Sequence, residues 1–481
     1  MAFKDLHSFI KALEKNNELI RVKIPVDSNL EITEITDRVS KAHGPALLFE
    51  NVKNSKYPVL INSMGSYKRM AMAIGVDSLD DIGNSILDLL DVGQYSTFVS
   101  QTKNTPQFAS FPYIFPKKIH NAPCQRIIED ADLDSLPILK CWPQDGGPFI
   151  TLPIVITKDP ENNQQNIGMY RLQKYDKTST GMHWHLHKDG RKIYDKYRKL
   201  GLKKMPVAVA IGSDPTLIYS ATAPLPKTID EMIFAGFLRK SPIEIVKCIT
   251  SDIYVPANAE FILEGYVDLD ETKLEGPFGD HTGYYSICDH YPVFHVEKIT
   301  RKKNPIYPAT IVGKPPMEDC YMGKATERIF LPLLKKAIPE IIDMNMPLEG
   351  IFHNCAIVSI KKTFPKHAFK VMHALWGINQ MMYTKMLIVV DDNIDVQDIS
   401  TVMWKVFNNF DAKRDILISQ GPLDAQDHSS NTPFYGNRMG IDATKKLKSE
   451  GYNREWPDDI EMTKKIKEIV DFRWNDYGIN I

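Results

Sequence analysis

The sequence predicts a multidomain chain of the α+β and α/β classes, and three observations support this. First, 481 residues are too many for one compact core, so two or three domains are expected. Second, the middle of the chain contains short β-branched segments bounded by turn residues. Third, the last part alternates helical and strand patterns, which is typical of an α/β domain with a largely parallel sheet.

The N-terminal region, residues 1–115, begins with an amphipathic helix. Its apolar face consists of Phe3, Leu6, Phe9, Ile10 and Leu13. A short apolar stretch from Ala46 to Phe49 predicts a strand, and Ile86 to Leu90 lies in a further helical pattern. Proline and aromatic residues are frequent from Pro106 to Pro123, so we place the first domain boundary there. This region is expected to form an α/β domain.

The middle region, residues 116–322, has mainly strand patterns with one helix near Ile229 to Arg239. The predicted strands are Pro153–Thr157, Pro206–Ile211, Phe261–Leu269 and Val293–Thr300. This pattern predicts a β-rich domain, which is either a barrel or a sandwich.

The last region, residues 323–481, predicts alternating helices and strands. A helical pattern runs from Thr326 to Ile342, where Pro332 and Pro339 are expected to kink or end the helix. The elements predicted after it are a strand at Cys355–Ile360, a helix at Ala368–Leu375, a strand at Met386–Asp391 and a helix at Val396–Phe407.

Composition excludes several classes of function. The net charge is −1, which gives no overall attraction to nucleic acid. The six cysteines form no C-x-x-C pair, which argues against a structural zinc site or a disulfide framework. The first residues lack the apolar core of a signal peptide, and the apolar runs are too short to span a bilayer. A cytoplasmic protein is expected, and brief peripheral contact with a membrane is compatible with this.

Linear signatures of common enzyme classes are missing. The chain has no G-x-x-x-x-G-K-[ST] phosphate loop, no H-E-x-x-H zinc helix, no G-x-S-x-G elbow and no G-x-G-x-x-G dinucleotide fingerprint. These absences disfavour the corresponding classes.

The segment EGPFGDHTGYY, residues 275–285, combines two carboxylates and a histidine with glycines and a proline. Such a segment cannot be a regular helix or a central strand. The segment holds Glu275 and Asp280 near each other in the sequence, and two nearby carboxylates in different environments can split their pKa values so that one serves as a proton donor. The alternative is a surface turn with solvated acids.

Two further motifs suggest binding. NIGMYR, residues 166–171, offers the oxygen ligand of Asn166 and the fork of Arg171, which matches a carboxylate or phosphate. In HWHLHKDG, residues 183–190, His183, His185 and His187 share one face if the segment is extended. A strand edge with one surface arginine, and histidines packed beside a tryptophan near a cofactor, are the respective alternatives.

Two single residues are weaker candidates. Glu231 is an acid in the first turn of the predicted helix, where it suits the helix dipole. Lys385 precedes a predicted buried strand and could reach a phosphate, although an exposed lysine is the usual situation.

Together these segments resemble the UbiD family of carboxy-lyases over essentially the whole chain, most closely its 4-hydroxy-3-polyprenylbenzoate decarboxylase branch. The resemblance rests on the motifs above and on AGFLR (235–239), EIVKC (244–248), LEGYV (263–267), YTKMLIVVDD (383–392), MGIDATKK (439–446) and REW (454–456). It implies an N-terminal α/β domain, a central split β-barrel that holds a flavin, and a C-terminal α/β domain whose tail joins subunits into dimers or hexamers.

The resemblance implies prenylated FMN as cofactor, bound through its phosphate with a divalent metal, usually Mn²⁺, and often a K⁺ ion. The implied metal ligands are Asn166, His187 and Glu231. This oxygen-rich set suits a hard or borderline cation better than a structural zinc ion. The implied cofactor contacts are Met169, Tyr170, Arg171, His183, Trp184, His185, Lys188 and Asp189, with Lys385 as a further phosphate contact.

The implied catalytic residues are Arg171, Glu275 and Asp280. Arg171 orients the substrate carboxylate, Asp280 protonates the carbon left by carbon dioxide, and Glu275 supports both. A covalent adduct with the cofactor supplies the electron sink that an sp² carbon lacks. His183 stands where this branch has an arginine, and His185 is also unusual, which affects the detailed flavin contacts.

The resemblance leaves alternatives open. The substrate is expected to be a polyprenylated hydroxybenzoate of quinone biosynthesis. A flavin prenyltransferase is expected to supply the cofactor of the protein. A small phenolic or naphthoic acid, including one from a menaquinone pathway, is the second hypothesis, and the reverse carboxylation is compatible with both. A catalytically silent flavin-binding scaffold and a metal-binding protein without flavin are the remaining alternatives.

Overall fold

The computed structural model describes residues 3–83, 86–87, 114–185, 188–226 and 229–479. The helices, numbered along the chain, are α1 (Leu6–Lys15), α2 (Glu31–Lys41), α3 (Tyr67–Ile74), α4 (Asp189–Lys199), α5 (Pro215–Ser220), α6 (Glu231–Arg239), α7 (Glu318–Ala337), α8 (His367–Trp376), α9 (Ile399–Asn409) and α10 (Lys464–Phe472).

The strands, numbered in the same way, are β1 (Leu19–Val22), β2 (Ala46–Phe49), β3 (Val59–Ile61), β4 (Lys117–Lys118), β5 (Ile127–Asp130), β6 (Phe149–Ile150), β7 (Pro153–Lys158), β8 (Gln165–Gly168), β9 (Leu172–Gln173), β10 (Ser179–Gly181), β11 (Lys204–Ile211), β12 (Glu244–Lys247), β13 (Tyr254–Pro256), β14 (Phe261–Glu275), β15 (Asp289–Arg301), β16 (Tyr307–Pro308), β17 (Ile341–Asn345), β18 (Cys355–Ile360), β19 (Met386–Asp391), β20 (Ile416–Pro422) and β21 (Tyr435–Asp442).

The N-terminal sheet has the order β1-β2-β3-β16. Helix α1 of this region begins after Asp5, whose side chain accepts a hydrogen bond from the Ser8 backbone. The helix buries Leu6, Phe9 and Leu13, as its apolar pattern predicts. The last strand of the sheet comes from residues 307–308, which pair in parallel with β3. The end of the middle region therefore returns to the N-terminal sheet and ties the two regions together.

The central sheet is antiparallel and has seven strands, in the order β10-β15-β14-β11-β7-β8, with β5 added beside β15. Both of its faces are buried. On β7, Ile154 and Ile156 belong to one core and Val155 to the other. Among the described residues no pairing joins the outer strands β8 and β10. This doubly covered sheet is the rigid element from which the site residues extend.

The C-terminal sheet has the order β17-β18-β19-β21-β20. Its inner pairings are parallel, but β17 and β20 pair antiparallel at the two edges. The prediction of a largely parallel sheet is therefore corrected to a mixed one. The connection from β17 to β18 contains only a short 3-10 turn at Leu348–Gly350, and parallel neighbours would need a long crossover.

Some predicted helix limits shift. The helix expected at Thr326–Ile342 begins earlier, at Glu318, and ends at Ala337, because β17 already begins at Ile341. The helix expected from Val396 begins at Ile399, where the Asp398 side chain accepts a hydrogen bond from the Thr401 backbone. Of the helix predicted over 86–90, residues 88–90 lie outside the described residues.

The domain limits of 1–115, 116–322 and 323–481 stay a prediction. The first limit adjoins residues 88–113, which lie outside the described residues, and the second falls inside α7. Within the described ranges, no helix has the length and apolar composition needed to cross a bilayer.

Candidate active site

Arg171, Glu275 and Asp280 meet although they are far apart in the chain. Arg171 lies between β8 and β9, Glu275 ends β14, and Asp280 follows on the next loop. Arg171 places Nε 3.0 Å and Nη2 2.9 Å from Oε1 of Glu275, while Nη1 donates to Oδ2 of Asp280. The guanidinium carbon also lies 4.6 Å from the ring centre of Phe278. One cation thus holds both carboxylates.

Both carboxylates are almost inaccessible, with exposed fractions of 1% for Glu275 and 7% for Asp280. Burial alone would raise both pKa values. For Glu275, the hydrogen bond with His183 and the charge and hydrogen bond of Arg171 outweigh burial and lower the pKa. For Asp280, His281 and Arg171 outweigh burial and hold the pKa well below its usual range. Arg171 therefore favours the ionised form of both acids, and neither pKa is raised as a proton donor in the predicted split would require.

The loop that carries Asp280 is fixed by its backbone. Gly279 donates a hydrogen bond of 2.8 Å to the buried Asp145, and a Cβ at this glycine would lie 2.2 Å from the ring of Trp142. Gly283 has a φ of 79°, a conformation that favours glycine, and donates to the carbonyl of Asp280. The glycines of the motif thus serve a close approach and a turn, which position the acid.

Two of the three predicted histidines form a chain of contacts that begins at Glu275. His183 places Nδ1 2.8 Å from Oε1 of Glu275 and Nε2 2.6 Å from Nε2 of His185. Its ring also packs on Tyr291 with centroids 4.3 Å apart. Burial, and then the neighbouring His183, lower the pKa of His185 to about 3, so this imidazole is neutral. Of the two residues that the resemblance marks as unusual, His183 therefore contacts the supporting carboxylate directly, and His185 contacts His183.

Asn166 and Glu231, the predicted metal ligands within the described residues, face each other. Asn166 on β8 donates from Nδ2 to Oε1 of Glu231 over 2.9 Å, and the Ile167 backbone donates to Oε2 over 3.1 Å. Asp230 caps α6 by accepting from two backbone N–H groups, which places Glu231 at the first helical position. Burial, and then the charge of Asp230, raise the pKa of Glu231 to about 8.

This pair fits a divalent cation. Oδ1 of Asn166 is buried and has no hydrogen-bond partner in the described part of the chain. A cation would satisfy that oxygen and stabilise the ionised form of Glu231. The third predicted ligand, His187, lies outside the described residues. The described residues contain no group of three or more His, Cys, Asp or Glu side chains arranged for a metal.

The predicted flavin contacts centre on Tyr170 and Trp184, whose rings meet edge to face with centroids 6.4 Å apart. Gly190 donates to the Tyr170 hydroxyl over 3.4 Å, and a Cβ at this glycine would lie 2.7 Å from Nε1 of Trp184. Nε1 of Trp184 is buried and lacks a partner among the described side chains. One donor therefore remains for a bound group, which fits a cofactor at this place.

The other predicted contacts are close to this pair in the sequence. Met169 donates its backbone N–H to Ala221 over 3.0 Å. Lys188 precedes α4, and Asp189 begins that helix and pairs with Lys192 over 2.8 Å. Their contacts with a flavin stay a prediction.

Lys385, unlike the other predicted cofactor contacts, belongs to the C-terminal region. Its ammonium group is 2.7 Å from Asp427 and also donates to Ser429. Both partners belong to the connection between β20 and β21. Lys385 therefore binds a loop of the C-terminal region, and its predicted role as a phosphate contact stays a prediction.

Comparison with known families agrees with this geometry. Residues 117–315 match the family model described as 3-octaprenyl-4-hydroxybenzoate carboxy-lyase Rift-related domain. Residues 10–86 and 320–443 match the N-terminal and C-terminal domains of the same carboxy-lyase. This chain belongs to the UbiD family. It is therefore a carboxy-lyase of the decarboxylase type with the multidomain α+β fold of that family.

Relatives of this UbiD-family chain cover nearly all of it. An uncharacterized protein of Archaeoglobus fulgidus is 51% identical over 477 residues, which is 99% of each chain. Vanillic acid decarboxylase of Sedimentibacter hydroxybenzoicus, solved in closed form, is 28% identical with a TM-score of 0.83, and 100% of each chain is covered. An evolved dimeric form of the UbiD-class enzyme HmfF from Pelotomaculum thermopropionicum, solved with prFMN, is 25% identical with a TM-score of 0.79, covering 97% of this chain and 98% of that one.

Two residues of this UbiD site have no signal in the sequence. Gln426 donates from Nε2 to Oδ2 of Asp280 over 2.6 Å. His353 lies 3.0 Å from His281, between their Nε2 atoms. Both come from the C-terminal region, and no local pattern around either residue indicates that the fold will carry it to the acid.

Proposed function

We propose that this UbiD-family chain decarboxylates, without oxidation, an aromatic acid of the 4-hydroxy-3-polyprenylbenzoate type in quinone biosynthesis. The observation that carries the proposal is the position of Arg171 between Glu275 and Asp280. A guanidinium can bind a substrate carboxylate in a fixed orientation, and an adjacent acid can protonate the carbon from which carbon dioxide departs.

Each residue of this group has a separate task. Arg171 binds and orients the substrate carboxylate, and the buried Glu275 holds Arg171 in place through two contacts with Oε1. Asp280 gives the proton to the ring carbon after carbon dioxide has left. The nearby rings of Phe149 and Phe278 limit the access of water to the guanidinium.

Prenylated FMN is the proposed cofactor, and when bound it supplies the sink for the electron pair that carbon dioxide leaves behind. Tyr170, Trp184 and their neighbours would hold it. Asn166, Glu231 and His187 would hold Mn²⁺, with the K⁺ ion that the resemblance implies beside it. Oδ1 of Asn166, which has no partner among the described residues, and the desolvated Glu231 support a cation at this place.

Exposed apolar side chains close to Asp280 in the sequence support a substrate with a long apolar tail. Leu274, Tyr284 and Ile287 have exposed fractions of 54%, 60% and 90%. All three lie within the segment from the end of β14 to the start of β15, which carries Asp280. Contact with a polyprenyl chain would remove this apolar surface from water.

A small phenolic or naphthoic acid, including a menaquinone precursor, is the second candidate substrate. It is favoured by the similarity to a vanillic acid decarboxylase over the whole chain. The reaction is chemically reversible, so carboxylation at high carbon dioxide concentration belongs to either candidate. A silent flavin-binding scaffold is disfavoured because Arg171, Glu275 and Asp280 are all present and in contact.

Turnover of the holoenzyme tests this proposal. The chain is co-expressed with a flavin prenyltransferase, the proposed supplier of its cofactor, and carbon dioxide release is measured from a panel of aromatic acids. Polyprenylated hydroxybenzoates are expected to react with the highest kcat/KM. A preference for short phenolic or naphthoic acids would select the second candidate, and bound flavin without release from any acid would favour the scaffold.

The proposed assembly is a homo-oligomer, either a dimer or a hexamer, in the cytoplasm with at most peripheral membrane contact. Helix α10 supports self-association, because no residue in it is buried within one chain. Its Ile466, Ile469 and Phe472 have exposed fractions of 41%, 42% and 91%. A second copy of the chain would cover them.

A further inference from the structure

His281 has no role in the proposed function, yet its imidazole lies against Asp280. Nδ1 is 2.9 Å from Oδ1, and the backbone N–H of His281 donates to the same oxygen over 2.7 Å. On its other side, Nε2 lies 3.0 Å from Nε2 of His353. Arg171 and Gln426 bind the opposite oxygen, Oδ2. Asp280 therefore has one oxygen toward the substrate-binding arginine and one toward a pair of histidines.

A strained turn brings His353 to this position. Ile351 and Phe352 have φ values of 45° and 52°, which side chains rarely adopt, least of all β-branched ones. The ring of Phe352 stacks on His281, with centroids 5.2 Å apart and planes 23° apart. A Cβ at Gly323 would lie 2.5 Å from Cβ of Phe352, so the glycine permits the close approach to α7. Backbone strain of this kind is typical of functional sites.

The titratable groups that face His281 come from several elements. Asp280 lies beside it, Asp319 is on α7, Asp424 is in the connection after β20, and His353 is on the strained turn. Burial opposes a charge on the imidazole, but the hydrogen bond and charge of Asp280, with Asp319 and Asp424, raise the pKa of His281. Burial, and then the charge of His281, lower the pKa of His353. Of the two histidines, His281 is therefore the one that holds a proton.

This distribution leaves Asp280 without a proton before substrate binds, although its proposed task is to give one. A substrate carboxylate on Arg171 would weaken the stabilisation that this cation gives to ionised Asp280, and so make Asp280 a better base. We propose that His281 holds the proton that Asp280 delivers, and that His353 positions His281 for the transfer. The inference rests on the proposed function and has both histidines act through Asp280, His281 as the source of its proton and His353 as the residue that positions His281.

The proton balance is simple. The Nδ1–H bond of His281 breaks as an O–H bond forms at Oδ1 of Asp280, and rotation of the carboxyl group presents this hydrogen to the substrate. The O–H bond then breaks as the new C–H bond forms, using the electron pair left by carbon dioxide. His281 regains a proton from water after the products leave. The sum is one carboxylate and one proton giving one arene and one carbon dioxide.

The test compares His281→Gln with the matched variant His290→Gln, whose histidine is exposed on β15. Glutamine can still donate a hydrogen bond but has no titrating proton. In wild-type holoenzyme, kcat is expected to fall as pH rises through the raised pKa of His281, because only protonated His281 can supply Asp280. In His281→Gln this alkaline decline is expected to vanish and kcat to fall about 100-fold, with KM within about threefold. His290→Gln is expected to behave as wild type.

Exchange of the ring hydrogen of the product in D2O isolates the proton transfer from carbon dioxide release. His281→Gln is expected to slow this exchange by the same factor as kcat while the flavin absorbance stays unchanged. A variant that keeps the alkaline decline, with kcat and exchange within about threefold of wild type, would overturn the inference.

A second variant, His353→Gln, keeps the test decisive if His281→Gln loses its flavin. Removal of the imidazole partner is expected to move the alkaline decline by a measurable amount and to lower kcat about tenfold. An unmoved decline would refute the role of His353 and, with it, the pair. Wild-type holoenzyme that releases no carbon dioxide from any acid would instead refute the proposed function, so the two failures are distinct.

Discussion

The side-chain amide of Gln426 lies 2.6 Å from Oδ2 of Asp280, the same oxygen that Arg171 binds. Gln426 follows Asp280 by 146 residues and belongs to the connection between β20 and β21. The oxygen of the Gln426 amide, Oε1, is buried and has no hydrogen-bond partner among the described residues. The C-terminal region thus completes the surroundings of the acid that the central region provides.

Replacing Gln426 by Leu is expected to lower kcat/KM by about 10- to 100-fold, because a hydrogen bond to a charged group contributes about 1.5–3 kcal/mol. Steady-state kinetics of the holoenzyme measures this. The control is Gln420→Leu, since Gln420 accepts a hydrogen bond from Tyr435 and lies outside the group around Asp280. Equal kinetics for both variants would argue against a role for the Gln426–Asp280 contact.

Replacing Glu231 by Gln is expected to reduce metal affinity by about 100-fold or more, since the change removes the only charged oxygen ligand of the proposed set. Bound manganese per subunit and flavin absorbance would fall together. Glu161→Gln is a suitable control, because Glu161 is an exposed partner of Lys196. Full manganese content in Glu231→Gln would exclude this residue as a ligand.

The pair His7 and Glu260 is expected to make stability depend on pH. The hydrogen bond that His7 donates to Glu260 raises the pKa of His7, although burial opposes this. The contribution is therefore fully present below pH 6.5, the ordinary pKa of histidine, and is lost as pH rises through the raised value. His7 is 37% exposed at its side chain, so the effect is small, on the order of 1 °C in Tm between pH 6 and pH 8.

Thermal unfolding of His7→Gln at both pH values checks this prediction. In His7→Gln, the decrease in Tm that the pair causes between pH 6 and pH 8 should be absent. His120→Gln, which changes a histidine at an exposed site, should retain this decrease. A His7 variant with the full wild-type pH dependence would show that the pair does not contribute.

Much of the central region could be predicted from sequence because its signals are local. Strand β7 coincides with a short β-branched run, and α6 begins beside the capping Asp230. The glycines and proline of the motif from 275 to 285 predict irregular backbone, and the structure agrees, because Gly276 and Gly283 have positive φ.

The parts that could not be predicted depend on contacts between distant segments. Strand β16 pairs with β3, and the edge strand β20 runs antiparallel to β21, and neither pairing leaves a periodic signal. The same is true of the site. A local pattern can suggest that Asp280 is an acid, but its low pKa depends on Arg171, which only the fold brings there.

Replacing Phe472 by Glu is expected to weaken self-association, because it places a charge on the apolar face of α10 at a side chain that is 91% exposed. Light scattering after size exclusion should give a smaller molar mass than for wild type. Lys467→Glu, a change on the same helix outside the apolar residues, is the control. Unchanged mass in Phe472→Glu would show that α10 does not join subunits.

The central claim is that Asp280 protonates the carbon from which carbon dioxide departs, and the most direct test is carbon dioxide release by Asp280→Asn holoenzyme on the best wild-type substrate. We expect wild-type flavin absorbance and a loss of kcat of about 100-fold or more, because asparagine cannot supply the proton. Turnover near the wild-type rate in a variant with full cofactor would contradict the account.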